Sequence, residues 1–319
     1  MKDSPLNQLE QLKQFSTVVA DTGDVTQIRD FKPTDVTTNP SLILKAAQSG
    51  ETQTRMAACV AAAKAHNPED WQDDAIDRIA VDFGVSLSQL VPGYVSTEVN
   101  ARLSFDADAM VRNGEKLMRY YQEQGVSPER ILIKVAATYE GIEAARRLEA
   151  MGYKCNVTLV FHRIQAVAAA RAGAFLISPF VGRIQDWYKK QGELPADPAL
   201  DPGVQSVKGI YQYFKQHQLK TVVMAASFRS TDQVLQLAGC DRLTISPALL
   251  AQLAQSDATV NKLMTEQVVQ SFVDDDIDVS EAAFRWALND DPMSSEKLAE
   301  GIRLFYQDHQ RLRELIETL

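Results

Sequence analysis

The stretch RILIKVAAT at residues 130–138 puts a lysine inside a run that otherwise reads as a buried strand. Ile131, Leu132, Ile133 and Val135 are aliphatic and largely β-branched, as a strand covered on both faces requires. Side chains two apart share a face, so Lys134 goes with Leu132 and Ala136, and Ile131, Ile133 and Val135 point the other way, toward a helical layer. The lysine is therefore directed into the interior. Burial there disfavours an ammonium ion, and a lysine that is neutral part of the time is a nucleophile for a carbonyl carbon.

Seven further runs share this character: STVVADTG (16–23), DVTTNP (35–40), YVSTEV (94–99), CNVTLVF (155–161), FLISPFVG (175–182), TVVMAASF (221–228) and DRLTIS (241–246). Helical periodicity lies between most of them. In GIEAARRLEAMG (141–152), Ile142, Ala145, Leu148 and Met151 fall along one side, and Gly152 can end the helix. Eight strand-and-helix units over roughly 250 residues predict an α/β chain folded as a single (β/α)8 TIM barrel with additional helices at the N- and C-termini. The 319 residues, 45% of them hydrophobic, could fill one large barrel or two ordinary domains. No linker separates two halves, so residues 1–319 are read as one domain; GELPADPALDPG (192–203) reads as a loop. A doubly wound open sheet is the alternative, but no GxGxxG follows a strand.

A formal net charge of −9 argues against a nucleic-acid surface, since phosphate backbones require clustered Lys and Arg. The charged, helix-like N-terminus MKDSPLNQLEQLKQF and the lack of a run of about 18 apolar residues predict a protein neither exported nor embedded in a membrane. Cys59, Cys155 and Cys240 form no CxxC pair and have no histidine at metal-ligand spacing, which fits buried thiols in a reducing cytoplasm. The acidic VDDDID beginning at residue 273 precedes a helix with Ser280 as N-cap and reads as a solvated helix entry rather than a metal site. His66, His217 and His309 read as surface residues without partners.

Most of the strand-like runs end in polar residues, and in a parallel barrel those ends line one mouth, where barrel active sites are built. Parity pairs Thr37 with Asn39, Ser96 with Glu98, Asn156 with Thr158, Ser178 with Phe180, and Ser227 with Arg229. Asp21 closes the first run. Taken singly, several have plainer readings: Asn39 as a strand stop before Pro40, Thr37 and Ser96 as interior packing, Phe180 as a core aromatic, the arginines as solvated.

Together VVADTGD, DVTTNPSLILKAAQ, VSTEVNARLSFD, ILIKVAAT, CNVTLVF, FLISPFVGRIQDWYKK and ASFRS resemble the transaldolase family in its longer bacterial and eukaryotic form, over nearly the whole chain. The resemblance implies a metal-free, cofactor-free class I enzyme of the non-oxidative pentose phosphate pathway. Such an enzyme moves a dihydroxyacetone unit from sedoheptulose 7-phosphate or fructose 6-phosphate to an aldose phosphate such as glyceraldehyde 3-phosphate or erythrose 4-phosphate. Carried over by position, Lys134 is the Schiff-base lysine, Glu98 the general acid/base acting through a water that Thr158 helps to hold, and Asp21 the base in carbon–carbon cleavage. Asn39, Asn156 and Ser178 correspond to contacts of the dihydroxyacetone unit, with Thr37 and Ser96 beside them. Arg183, Ser227 and Arg229 match the phosphate site, and Phe180 stands where related aldolases commonly carry tyrosine. A homodimer is common in the family, and RLFYQDHQRLRELIETL (303–319) could pack on a partner or on the barrel mouth.

His162, Arg163 and Asn100 depart from the usual pattern; His162 reads as a helix-entry or rim residue, and acceptor preference is what these changes leave open. Two rival functions remain at this stage: a fructose 6-phosphate aldolase-like lyase that releases the dihydroxyacetone, and a sugar-phosphate binding barrel without catalysis.

Overall fold

The computed structural model describes residues 6–48, 52–265 and 276–319. All eight runs become strands: β1 (Thr17–Asp21), β2 (Asp35–Thr37), β3 (Val95–Glu98), β4 (Ile131–Ala136), β5 (Cys155–Val160), β6 (Leu176–Pro179), β7 (Val222–Ala225) and β8 (Arg242–Ile245). They pair in parallel, in chain order, and β8 closes on β1. Every residue of β4 is buried, as a strand between a barrel interior and a helical coat demands.

The predicted parity holds. Ile133 faces the helix Ala107–Glu123, close enough that a Cβ on Gly114 would come within 3.3 Å of it. Leu132 points inward and joins Val19, Leu176 and Met224 in an apolar layer inside the barrel. Nearer the N-terminal ends of the strands, Arg242 is ion-paired with Asp35 and its guanidinium lies 5.1 Å from the Tyr94 ring and 5.9 Å from the Phe175 ring. A charged plug thus closes one end of the barrel, and the polar strand ends gather at the other.

Local chemistry fixes several helix entries. Thr138 caps the helix Tyr139–Ala150 by accepting from the Gly141 N–H. His162 caps Arg163–Arg171: its Nδ1 accepts from Ile164 N at 3.0 Å and Gln165 reaches back to the cap, so the helix-entry reading describes its place. Ser280 caps Glu281–Asp290 as expected, while Val273, Asp274 and Asp275 lie outside the described residues.

Three expectations are corrected. Met151 is exposed, because the helix ends at Ala150 and the chain turns away at Gly152 with φ +90°. Residues 202 and 203 of the supposed loop start the helix Pro202–Gln216, where Asp201 caps and Pro sits at the first turn. His309 is buried, 3.3 Å from Asn100 Nδ2 and 3.2 Å from Asp73 Oδ1; His66 and His217 are exposed.

Cys155 and Cys240 are buried, and Cys59 is half-buried with its thiol pushed up to about 11 by burial. Among the described residues no helix is long and apolar enough to cross a membrane. The long C-terminal helix Pro292–Ile316, capped by Asp291, lies over the polar mouth: a Cβ on Gly301 would come within 2.8 Å of Leu159 and 2.9 Å of Arg183.

Candidate active site

Register puts the reactive groups beside one another. Glu98 on β3 is the direct pairing partner of Lys134 on β4, which is in turn the partner of Asn156 on β5. Inward-facing partners on neighbouring strands are neighbours in space, and Lys134 Nζ lies 3.2 Å from Glu98 Oε2. Both side chains are about 5% exposed or less. Lys134 Nζ also donates to the Thr38 carbonyl at 3.1 Å. That carbonyl, at the end of β2, aims the amine.

The mouth holds a cavity of ≈ 160 Å³ lined by Asp21, Thr37, Asn39, Lys134, Thr158, Ser178, Phe180, Arg183 and Ser227, with Ser41, Leu42, Met224, Ala226, Thr244 and Phe305. Nine of the thirteen residues singled out from the sequence therefore face one space. The other four stand around it. Asn156 is fully buried, donating to Ser96 Oγ at 3.2 Å and accepting from Ser178 Oγ at 2.7 Å. Ser96 is thus held behind the wall. Glu98 borders a second, smaller hollow between Asn39, Asp77, Asn100 and His309, and reaches the first through Lys134.

Arg229 is displaced from the expected strand-parity position. Ser227 adopts φ +62°, which breaks the alternation after β7, and Arg229 turns to the rim, where Nη2 bonds Asp186 Oδ2 at 2.7 Å and Nη1 bonds Ser227 Oγ at 3.2 Å. Arg183 lies deeper, its guanidinium 5.0 Å from the Phe180 ring and 5.3 Å from the Phe305 ring. Burial, with Arg229 second, pulls its pKa below the usual guanidinium value. Near these side chains the helix Gly182–Gln191 begins without a side-chain cap, and its first N–H, that of Gly182, donates to the Ser227 carbonyl at 2.8 Å.

Asn39 does two jobs. Its Oδ1 accepts from Leu42 N at 3.0 Å and caps the helix Pro40–Ala47, so the plain reading of TTNPS holds. Among the described residues its Nδ2 has no partner, and Asn39 lines the cavity.

Burial raises the carboxyls of both Asp21 and Glu98, with Lys134 the main opposing influence on each. Thr37 Oγ1 donates to Asp21 Oδ1 at 2.9 Å. Four buried side-chain polar atoms among the described residues lack a well-directed hydrogen bond; Thr158 Oγ1 and Arg183 Nη1 are two of them, and Glu98 Oε2, a third, has its ion pair with Lys134. Buried polar groups are normally satisfied, so their concentration here points to partners brought by a ligand or solvent.

Reading the chain by strand ends missed Thr38, which acts through its backbone, and Phe305 and Ser41, which lie on helices. Thr244 was within reach: it shares parity with Arg242 in DRLTIS and so faces inward.

A parallel eight-stranded barrel with a buried lysine–carboxylate pair under an arginine-rimmed mouth defines a lysine-centred (β/α)8 enzyme scaffold. The family profile described as Transaldolase/Fructose-6-phosphate aldolase matches residues 18–316, and the chain belongs to that family. It is 52% identical over 317 residues to a protein of Shewanella amazonensis named transaldolase, covering 98% of each chain. A transaldolase of Marinomonas sp. is 52% identical over 316 residues, 98% of this chain and 99% of its own. One from Shewanella baltica is 52% identical over 312 residues, 97% and 98% respectively.

Proposed function

We propose that this protein is a transaldolase that carries a dihydroxyacetone unit from sedoheptulose 7-phosphate or fructose 6-phosphate to an aldose phosphate through an imine on Lys134. The observation that carries the mechanism is the buried Lys134–Glu98 pair at 3.2 Å. A carboxyl raised by burial accepts a proton from the neighbouring ammonium more readily than an ordinary carboxylate, and the neutral amine then attacks the ketose carbonyl. Glu98 returns the proton as the carbinolamine loses water, with Thr158 Oγ1 holding the water that shuttles it.

The protonated imine is the electron sink for the next step. Asp21 removes the proton of the hydroxyl two carbons from the imine carbon, the bond between the intervening carbon and the hydroxyl-bearing carbon breaks, and its electrons enter the imine as an enamine. The aldose phosphate departs. The acceptor aldehyde is attacked by that enamine carbon, Asp21 protonates the new alkoxide, and hydrolysis frees Lys134. Asn39 Nδ2, Asn156 and Ser178 hold the hydroxyls of the three-carbon unit, and Thr37 and Ser96 keep Asp21 and Asn156 in place.

Arg183, Ser227 and Arg229 take the phosphate, as the planar guanidinium fork favours. Phe180 lines the cavity with its ring 5.6 Å from Phe161 and offers no hydroxyl to position water against the enamine. This supports transfer over net aldol cleavage, the activity that the other half of the family's name describes. We further take residues 1–319 to act as one catalytic domain, in the cytoplasm, as a homodimer.

The test is release of glyceraldehyde 3-phosphate from fructose 6-phosphate with and without erythrose 4-phosphate. Acceptor-dependent release that vanishes in Lys134→Ala supports the reading. Sustained release without acceptor makes the protein a lyase, and no release in either case makes it a binding barrel.

A further inference from the structure

Thr244 enters the barrel mouth from β8 and Thr37 from β2, and the two hydroxyls meet across β1 with their oxygens 2.6 Å apart. Both residues are buried, at 4% and 3% exposure. A threonine hydroxyl has a single proton. Thr37 gives its proton to Asp21 Oδ1 at 2.9 Å, so the proton in the 2.6 Å contact belongs to Thr244. The direction of the whole array is then set: Thr244 donates to Thr37, and Thr37 donates to Asp21.

We infer that Thr244 is a positioning residue for Asp21, acting through Thr37 to hold the carboxylate as an oriented anion ready to accept the substrate's hydroxyl proton. Two hydroxyl dipoles in series point at one carboxylate oxygen, and each strengthens the other in a site of low dielectric. With Oδ1 engaged, Oδ2 has no protein partner among the described residues and is the oxygen left to take the proton.

The array works against a strong opposing influence. Burial favours the neutral acid at Asp21, while Lys134 on β4 and Arg183 at the start of its helix favour the anion. Glu98 on β3 is a further carboxyl in this field. Without Thr244, the Thr37 hydroxyl can turn its proton away from Asp21, and a larger part of the enzyme carries a protonated, inactive base at low pH.

The inference rests on the assignment of Asp21 as the base, and the experiment separates the two. Wild type, Thr244→Val, Thr244→Ala, Thr244→Ser and Asp21→Asn are compared for kcat and KM across pH, alongside borohydride trapping of the donor on Lys134. Trapping shows that each variant folds and binds. Thr244→Val and Thr244→Ala are expected to trap normally, keep KM within about twofold, and move the acidic limb of kcat to higher pH by ~0.5 unit. Thr244→Ser, which retains the hydroxyl, restores the limb. Superimposable profiles for all Thr244 variants, or a loss in Val and Ala that is equal at every pH, would overturn the role of Thr244 provided Asp21→Asn stops cleavage. Wild-type cleavage by Asp21→Asn would instead remove the base assignment itself.

Discussion

Lys134 and Glu98 are cross-strand partners in the barrel, and their charged ends meet 3.2 Å apart with almost no exposure to water. Two charges placed together in low dielectric tolerate joint removal better than the loss of one. Glu98→Gln leaves an uncompensated ammonium and is expected to lower folding stability by about 3 kcal/mol. Glu98→Gln combined with Lys134→Met is expected to recover most of it. Urea titrations of the two single variants and the double variant form the cycle; additive losses would mean that the pair is uncoupled.

Chemistry at the same lysine gives the sharpest contrast between charge and nucleophilicity. Lys134→Arg keeps a cation next to Glu98 but cannot form an imine, so turnover should fall by about a thousandfold or more. Mass spectrometry after borohydride and fructose 6-phosphate should find the adduct on wild type and none on the variant.

The raised carboxyls of Asp21 and Glu98 fix the sign of a pH effect. A carboxyl whose folded pKa lies above its unfolded value binds more protons in the native state over the interval between the two. Stability contributed by that proton is present below the ordinary carboxylate range and declines as pH rises through the folded value. Asp21→Asn and Glu98→Gln should each flatten part of this decline in the unliganded protein, as thermal melts across pH would show. An Asp21→Asn melt with the wild-type slope would contradict the raised carboxyl.

Arg183 and Arg229 differ in setting and should differ in effect. Arg183 lies between the Phe180 and Phe305 rings with Nη1 unpartnered, while Arg229 is 40% exposed and paired with Asp186. Arg183→Ala is expected to raise KM for a phosphorylated donor by about a hundredfold, equivalent to ~2.7 kcal/mol, and Arg229→Ala by about tenfold. KM measured with and without added salt would also separate them, since the exposed contact is screened more.

Gly301 offers a substitution that should harm function rather than stability. Alanine suits a helix better by about 1 kcal/mol, yet its Cβ would press on Arg183 Nη1 and on Leu159. Gly301→Ala is expected to melt within a few degrees of wild type and to show a several-fold higher KM for phosphorylated substrate. An unchanged KM would show that Arg183 can give way at no cost.

The barrel was legible because each strand carries its own burial signal. Ile131, Ile133 and Val135 against Leu132, Lys134 and Ala136 already contain both the strand and its inside face. Lys134, Glu98, Asp21 and Asn156 could be found on the same grounds, as polar side chains at inward positions near strand ends. Arg229 could not be placed by parity, because the left-handed backbone at Ser227 ends the alternation on which parity depends. His309 and Phe305 were hidden for another reason: they lie on a helix more than 150 residues from Lys134 in the chain, and nothing in the local pattern says which strand ends that helix will cover. A buried histidine on a helical face looks like a surface one until its neighbours, here Asn100 and Asp73, are known.

Phe305 belongs to a helix that forms near the end of the chain, while Asp21 belongs to the first strand. A ribosome delivers these two walls of one cavity more than 280 residues apart. A nascent chain that has completed all eight strands already owns its lysine and both carboxylates, but the ring beside Arg183 arrives only when Pro292–Ile316 has emerged and docked. The cavity is thus completed by an element that contributes no strand to the barrel, and the eight strands without it lack the ring that covers Arg183.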